Sequence, residues 1–143
     1  MNSNQSNTKA HGPFPLPAAS DLTGMEGRLL KITNSSGVPN VDLDDSLTTP
    51  GALLLIGGDV AGNPVDVLPL GEVAQFRATL KGTCNPSDRL VKADPTVAAD
   101  KGKVRVLPAT AGTYKIVGLA METGLDGQLV LATPLNDTVT ISA

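Results

Sequence analysis

The stretch "EVAQFRATLKG", residues 72–82, alternates apolar and polar side chains. Ala74, Phe76, Ala78 and Leu80 face one way, while Gln75, Arg77, Thr79 and Lys81 face the other. A period of two over this length is a half-buried strand with one wet face. The same reading extends outward to "RLLKIT" (28–33), "ALLLIGG" (52–58), "NPVDVLPLG" (63–71), "DRLVKAD" (88–94), "GKVRVLP" (102–108), "YKIVGLAME" (114–122), "GQLVLATP" (127–134) and "DTVTISA" (137–143). Gly and Pro punctuate the series, and Pro64 and Pro69 fit only at strand margins. "NSSG" (34–37) reads as a turn, "VDLDDSLTTPG" (41–51) as an exposed loop, and "DPTVAAD" (94–100) as a short helical turn. No long amphipathic helix and no internal repeat stand out. The fold class is all-β: a small β-barrel or β-sandwich.

A chain of 143 residues is one domain's worth of sequence. Its core material is unusual, with 41% hydrophobic residues but only 2% aromatic. Ala, Val and Leu must do the filling, and each buries little area at about 25 cal/mol per Å². That favours a thin sandwich or small barrel that gains stability from partner subunits.

Residues 1–24 differ from the rest, and the β-rich domain is expected over 25–143. "NSNQSNTK" is polar and "HGPFPLPAAS" is proline-rich. Pro13, Pro15 and Pro17 exclude helix and favour an extended arm, disordered or laid across another surface. Fully extended, such an arm reaches on the order of 70–80 Å. Phe14 and Leu16 lie between the prolines and are the anchors if the arm docks.

Little in the chain can do chemistry. The single histidine, His11, sits in the arm, and Cys84 has no histidine near it in sequence to activate it. One cysteine allows no intrachain disulfide. Asp42, Asp44 and Asp45 cluster in "DLDD", but not at the spacing of a calcium loop. "GGDVAG" (57–62) lacks the Lys-Ser/Thr of a phosphate loop and suits a turn between strands. No catalytic set, metal site or cofactor is expected, and the chain does not read as an enzyme.

A net charge of −3 argues against binding nucleic acid through its phosphates. No apolar run is long enough for a membrane helix, and the N-terminus has no secretory pattern. Charge is uneven along the chain. Asp42, Asp44, Asp45, Asp59, Asp66 and Glu72 precede Arg77, Lys81, Arg89, Lys92, Lys101, Lys103 and Arg105. The two blocks are either solvated faces or complementary surfaces between neighbouring subunits.

The C-terminal half, over about residues 72–134, resembles the small decoration, or cement, proteins that coat the heads of tailed bacteriophages. The resemblance is carried by "xVGxAxE" leading through a turn to "GxLV", here Val117, Gly118, Ala120, Glu122, Gly127, Leu129 and Val130. It implies a structural virion protein on the outer capsid surface, partnered by the major capsid protein and often trimeric. It also implies an N-terminal arm that grips capsid or a neighbour, here through Pro13, Phe14, Pro15, Leu16 and Pro17. The hairpin residues would then serve the fold or a subunit interface. The alternative is a displayed module that recognises a host glycan, although such sites usually present aromatic platforms.

Overall fold

The computed structural model describes residues 12–143, and its strands form two separate sheets. The first holds β1 (Phe14–Pro17), β2 (Leu29–Ser35), β3 (Val38–Leu43), β4 (Leu53–Gly57) and β5 (Pro64–Pro69), in the order β1-β5-β4-β2-β3. The second holds β6 (Phe76–Thr79), β7 (Arg89–Lys92), β8 (Val104–Val106), β9 (Gly112–Ala120) and β10 (Leu129–Ile141), in the order β6-β10-β9-β7-β8. The protein is all-β.

Each sheet curls until its outer strands meet. Ala18, just past β1, makes a parallel bridge to Val41 in β3, and the Ala19 N–H donates to the Val41 carbonyl at 2.8 Å. Leu80, just past β6, makes the same bridge to Val104 in β8, and Lys81 donates to the Val104 carbonyl at 2.7 Å. Closing a sheet on itself removes exposed strand edges.

The two barrels are therefore copies of one topology. Register agrees as well as order: Phe14 faces Val67 and Leu16 faces Val65 in the first, while Phe76 faces Ala132 and Ala78 faces Val130 in the second. Turn bonds repeat too, with Gly62 N–H to Ala18 O in one barrel and Gly127 N–H to Leu80 O in the other. The sequence showed no repeat because the two halves share little beyond isolated positions such as Phe14/Phe76, Val41/Val104, Gly62/Gly127 and Val65/Val130.

Small aliphatic side chains fill both barrels. Ala18, Leu22, Leu30, Val41, Leu55, Val65 and Val67 form the first core, and Ala78, Leu80, Leu90, Val104, Val130 and Ala132 belong to the second. At the centre of "ALLLIGG" both faces of β4 are covered, at Leu54 and Leu55, while Ala52 and Ile56 are exposed. Leu55 points into its own barrel, whereas Leu54 points out and packs with the second barrel's cluster. Leu29 and Leu30 in β2 divide in the same way.

Four expectations need correction. The strand read over 72–82 is β6, Phe76–Thr79 alone: Leu70–Glu72 forms a 3-10 turn, and Ala74 is exposed instead of facing the core with Phe76 and Ala78. Residues 14–24 belong to the domain: β1 is the barrel's first strand, and Ala18 and Leu22 are core residues. The arm's proline spacing left Phe14 and Leu16 on one side of an edge strand, which is how they reach the core. The expected loop 41–51 begins inside β3, where Val41 and Leu43 alternate inward around Asp42. Finally, "GQLVLATP" and "DTVTISA" are one strand, β10, carried through a register break between Pro134 and Asp137. The helical turn expected in 94–100 exists as a 3-10 turn at Ala98–Asp100.

Candidate interaction surfaces

The joint between the barrels organises the molecule. The Leu29 N–H donates to Gly102 O at 2.7 Å, and Thr79 N–H donates to Gly27 O at 2.8 Å. Arg28 reaches over to the carbonyls of Ala99 (3.2 Å) and Lys101 (3.1 Å). Gly102 has a φ of +81°, and a Cβ there would meet Leu29 O at 2.9 Å. Only glycine fits this approach without strain.

The least exposed ion pair among the described residues also crosses the joint. Lys92 Nζ sits 2.6 Å from Asp44 Oδ2, with side-chain exposures of 5% and 4%. The same ammonium donates to Ser46 O at 2.8 Å and Thr49 O at 2.6 Å. The loop after β3 is thus wrapped around one lysine of the second barrel. Complementarity between the acidic and basic blocks is used here inside the chain.

"DLDD" is not a cation site in form. Asp42 accepts from Ser20 Oγ at 2.7 Å, Asp44 holds Lys92, and Asp45 holds Lys31 at 2.8 Å. The lysine hydrogen bond keeps the Asp45 carboxyl below its ordinary range. Among the described residues no group of three His, Cys, Asp or Glu side chains comes together. Cys84 is a buried thiol whose Sγ lies 3.6 Å from Glu122 O, and burial pushes its pKa up. His11 lies outside the described residues.

The hairpin residues serve mostly the fold. Val117, Gly118, Ala120 and Val130 are buried. Gly118 lies at a register break between β7 and β9, and a Cβ on it would meet Thr133 O at 2.8 Å and the Phe76 ring at 3.0 Å. Glu122 accepts the Leu131 N–H at 2.9 Å and Arg77 Nη1 at 2.8 Å, and these bonds lower its pKa, the backbone one most. Gly127 occupies the turn, and Leu129 points outward toward Gly27 and Thr79.

The arm residues are placed differently. Phe14 and Leu16 pack on the first barrel's own core, Pro15 is exposed, Pro17 ends β1, and Pro13 is exposed just ahead of it. Sequence reasoning named Asp44 and Lys92 only as members of the two charge blocks, Asp44 also within "DLDD", and did not pair them. Their signal was a lysine following "RLV" at an inward position and an aspartate one residue past the strand-like "VDL".

An apolar hollow of about 200 Å³ opens between the barrels. Its lining takes matching positions from both: Leu70 with Leu135, Ala52 with Val117, and Gly71 with Asn136. No described helix is long and apolar enough to cross a membrane.

No family model and no curated protein matches this chain. Among solved structures, it superposes on the N base of the head fiber gp8.5 of bacteriophage phi29, with a TM-score of 0.65 and 18% identity. The match covers 89% of this chain and 96% of that one. The fold is shared with a phage head fiber base. Because the overlap spans both sheets, it is the double-barrel arrangement that the two proteins have in common.

Proposed function

We propose that this protein is a structural component of a tailed-phage head, bound to the outer surface of the expanded capsid and bridging capsid subunits. The observation that carries this reading is the fold shared along nearly the whole chain with a phage head fiber base. The cement-like hairpin of the C-terminal half agrees with it. Attachment as a homotrimer multiplies modest contacts, so that avidity exceeds the affinity of any single site.

The arm's gripping role falls to residues 1–11, because Phe14 and Leu16 are committed to β1 and the first core. Eleven residues reach about 36–40 Å when extended, enough to span from this domain to a neighbour. A glycan-reading module finds no support in the aromatic side chains. Phe14 and Phe76 pack on the two cores, and the Tyr114 hydroxyl donates to Thr110 O at 3.0 Å.

Co-sedimentation with expanded, undecorated capsids, counting copies per capsid, tests the proposal. Saturable binding at threefold-related stoichiometry supports it. Absence of binding to such capsids overturns it.

A further inference from the structure

On the outer face of the first barrel, cross-strand charges are answered within the chain. Lys31 in β2 stands opposite Asp42 in β3 and bonds Asp45 at 2.8 Å, while Asp42 accepts from Ser20 Oγ at 2.7 Å. The second barrel holds β7 and β8 in the equivalent pairing. Val104 answers Val41, so Val91 takes the place of Lys31 and Arg105 takes the place of Asp42. An acid on one barrel is a cation on the other, and the residue opposite it is apolar.

Arg105 is left with nothing to hold. It is half-buried, and its Nε is the one buried side-chain nitrogen or oxygen among the described residues without a hydrogen-bond partner. Arg28 and Arg77, by contrast, donate to carbonyls and to a carboxylate. Among the described residues, neither Arg105 nor the exposed Arg89 enters an ion pair. Asp94 does not fill this role. Its carboxyl is held low by the Thr96 hydroxyl first, then by the Thr96 N–H, and last by the charge of Arg105 from beyond ion-pair distance.

Arg89 lies on the same face as Arg105. Leu90 faces Val106 on the core side of the β7–β8 pair, and Val91 faces Arg105 on the outer side. The Leu107 N–H donates to Arg89 O at 2.8 Å and continues this register, so Arg89 stands diagonal to Arg105 across the two strands. Diagonal neighbours on one face of an antiparallel pair lie about 7–8 Å apart, close enough for two long side chains to close on one group between them. The guanidinium fork matches the oxygens of a carboxylate or phosphate. A buried N–H without a partner is unfavourable, and turning the guanidinium onto an outside acceptor satisfies it.

We propose that Arg105 and Arg89 form a binding site for an oxyanion, a carboxylate or a phosphate, on the outer face of β7 and β8. A carboxylate comes from an acidic segment of a partner, and a phosphate comes from solution. The site belongs to the isolated chain and goes beyond the capsid reading.

Nuclear magnetic resonance of the isotope-labelled full-length chain tests it, following the arginine Nε–H signals at constant ionic strength. The probes are inorganic phosphate and an N-acetylated hexa-aspartate peptide, with chloride as the control anion. The Arg105 Nε–H signal should shift and saturate with at least one probe and stay fixed with chloride. Arg105→Met, which keeps the apolar stem, should weaken binding by at least about tenfold, read from the backbone amides of β7 and β8. Arg89→Gln should weaken it less. If Arg105→Met fails to fold, Arg105→Lys keeps the charge, loses the fork and should weaken binding as well. Saturation by phosphate alone identifies a free oxyanion as the ligand, and saturation by the peptide at lower concentration identifies an acidic partner segment. Shifts that never saturate with either probe, which mean an adventitious ion only, overturn the site, as does binding that survives unchanged in the Arg105 variants. No capsid enters the measurement, so failure here leaves the capsid reading standing, and failure to bind capsids leaves this site standing.

Discussion

Lys92 Nζ lies 2.6 Å from Asp44 Oδ2 in a nearly dry setting, and three further contacts, to Ser46 O, Thr49 O and Thr49 Oγ1, complete the ammonium's environment. A buried pair in isolation adds little, since desolvation offsets attraction, but removing one partner strands the other charge. Lys92→Met and Asp44→Leu should each cost about 3–5 kcal/mol. The double variant should recover much of that loss, because no uncompensated charge then remains. Urea denaturation of the four chains measures the coupling. Simple additivity would show that the pair does not act as a unit.

Gly118 makes a second junction sensitive to size. A methyl group there would sit 2.8 Å from Thr133 O and 3.0 Å from the Phe76 ring, and backbone on the facing strand cannot move aside. Gly118→Ala should destabilise by about 1–3 kcal/mol. Gly57→Ala, where nothing lies within 4 Å and φ is not positive, provides the control and should be near neutral. Thermal melts distinguish them, and equal shifts would refute the steric account.

Sequence pattern reached the strands but not their grouping. Alternation is legible at Phe76–Thr79 because β6 has one wet face, although the pattern ran on past the strand into residues 72–75, and the apolar "ALLLIGG" is legible as a strand, β4, that is buried at Leu54 and Leu55. β3 was obscured by Asp42, Asp44 and Asp45, whose charges signal a loop although Val41 and Leu43, on either side of Asp42, point inward. The duplication was invisible for a related reason. Leu22 in one barrel answers Cys84 in the other, and Leu55 answers Ala120, so equivalent positions conserve inwardness and not identity. The joint was hidden most deeply, because its key ion pair joins residues that only the fold brings together.

The arm divides at Gly12. Deleting residues 1–11 should leave the melting temperature unchanged, since β1 and its pairing with β5 remain. Deleting through Pro17 removes Phe14 and Leu16 from the first core and bares the β5 edge. Losing those two side chains should cost upward of about 3 kcal/mol and promote aggregation through the open edge. Melting and light scattering on both truncations check this. If the longer deletion melts like wild type, β1 is not an integral strand.

Acid should loosen the turns before the cores. Asp126 accepts the Gly82 N–H at 2.7 Å, Glu122 accepts the Leu131 N–H and Arg77, and Asp45 accepts from Lys31. Each of these carboxyls is held below its ordinary pKa, by the backbone N–H first for Asp126 and Glu122 and by the lysine first for Asp45. A depressed folded-state pKa means that the unfolded chain binds the proton more readily. Stability from these groups is therefore fully present above the unfolded carboxyl pKa of about 4 and is lost as pH falls through the lower folded values. Urea midpoints should be flat from neutrality to about pH 5 and then decline. Glu122→Gln and Asp126→Asn should lower the plateau and shallow the acid decline together. A variant that lowers the plateau yet keeps the full acid slope would show that its carboxylate is not among the groups being titrated.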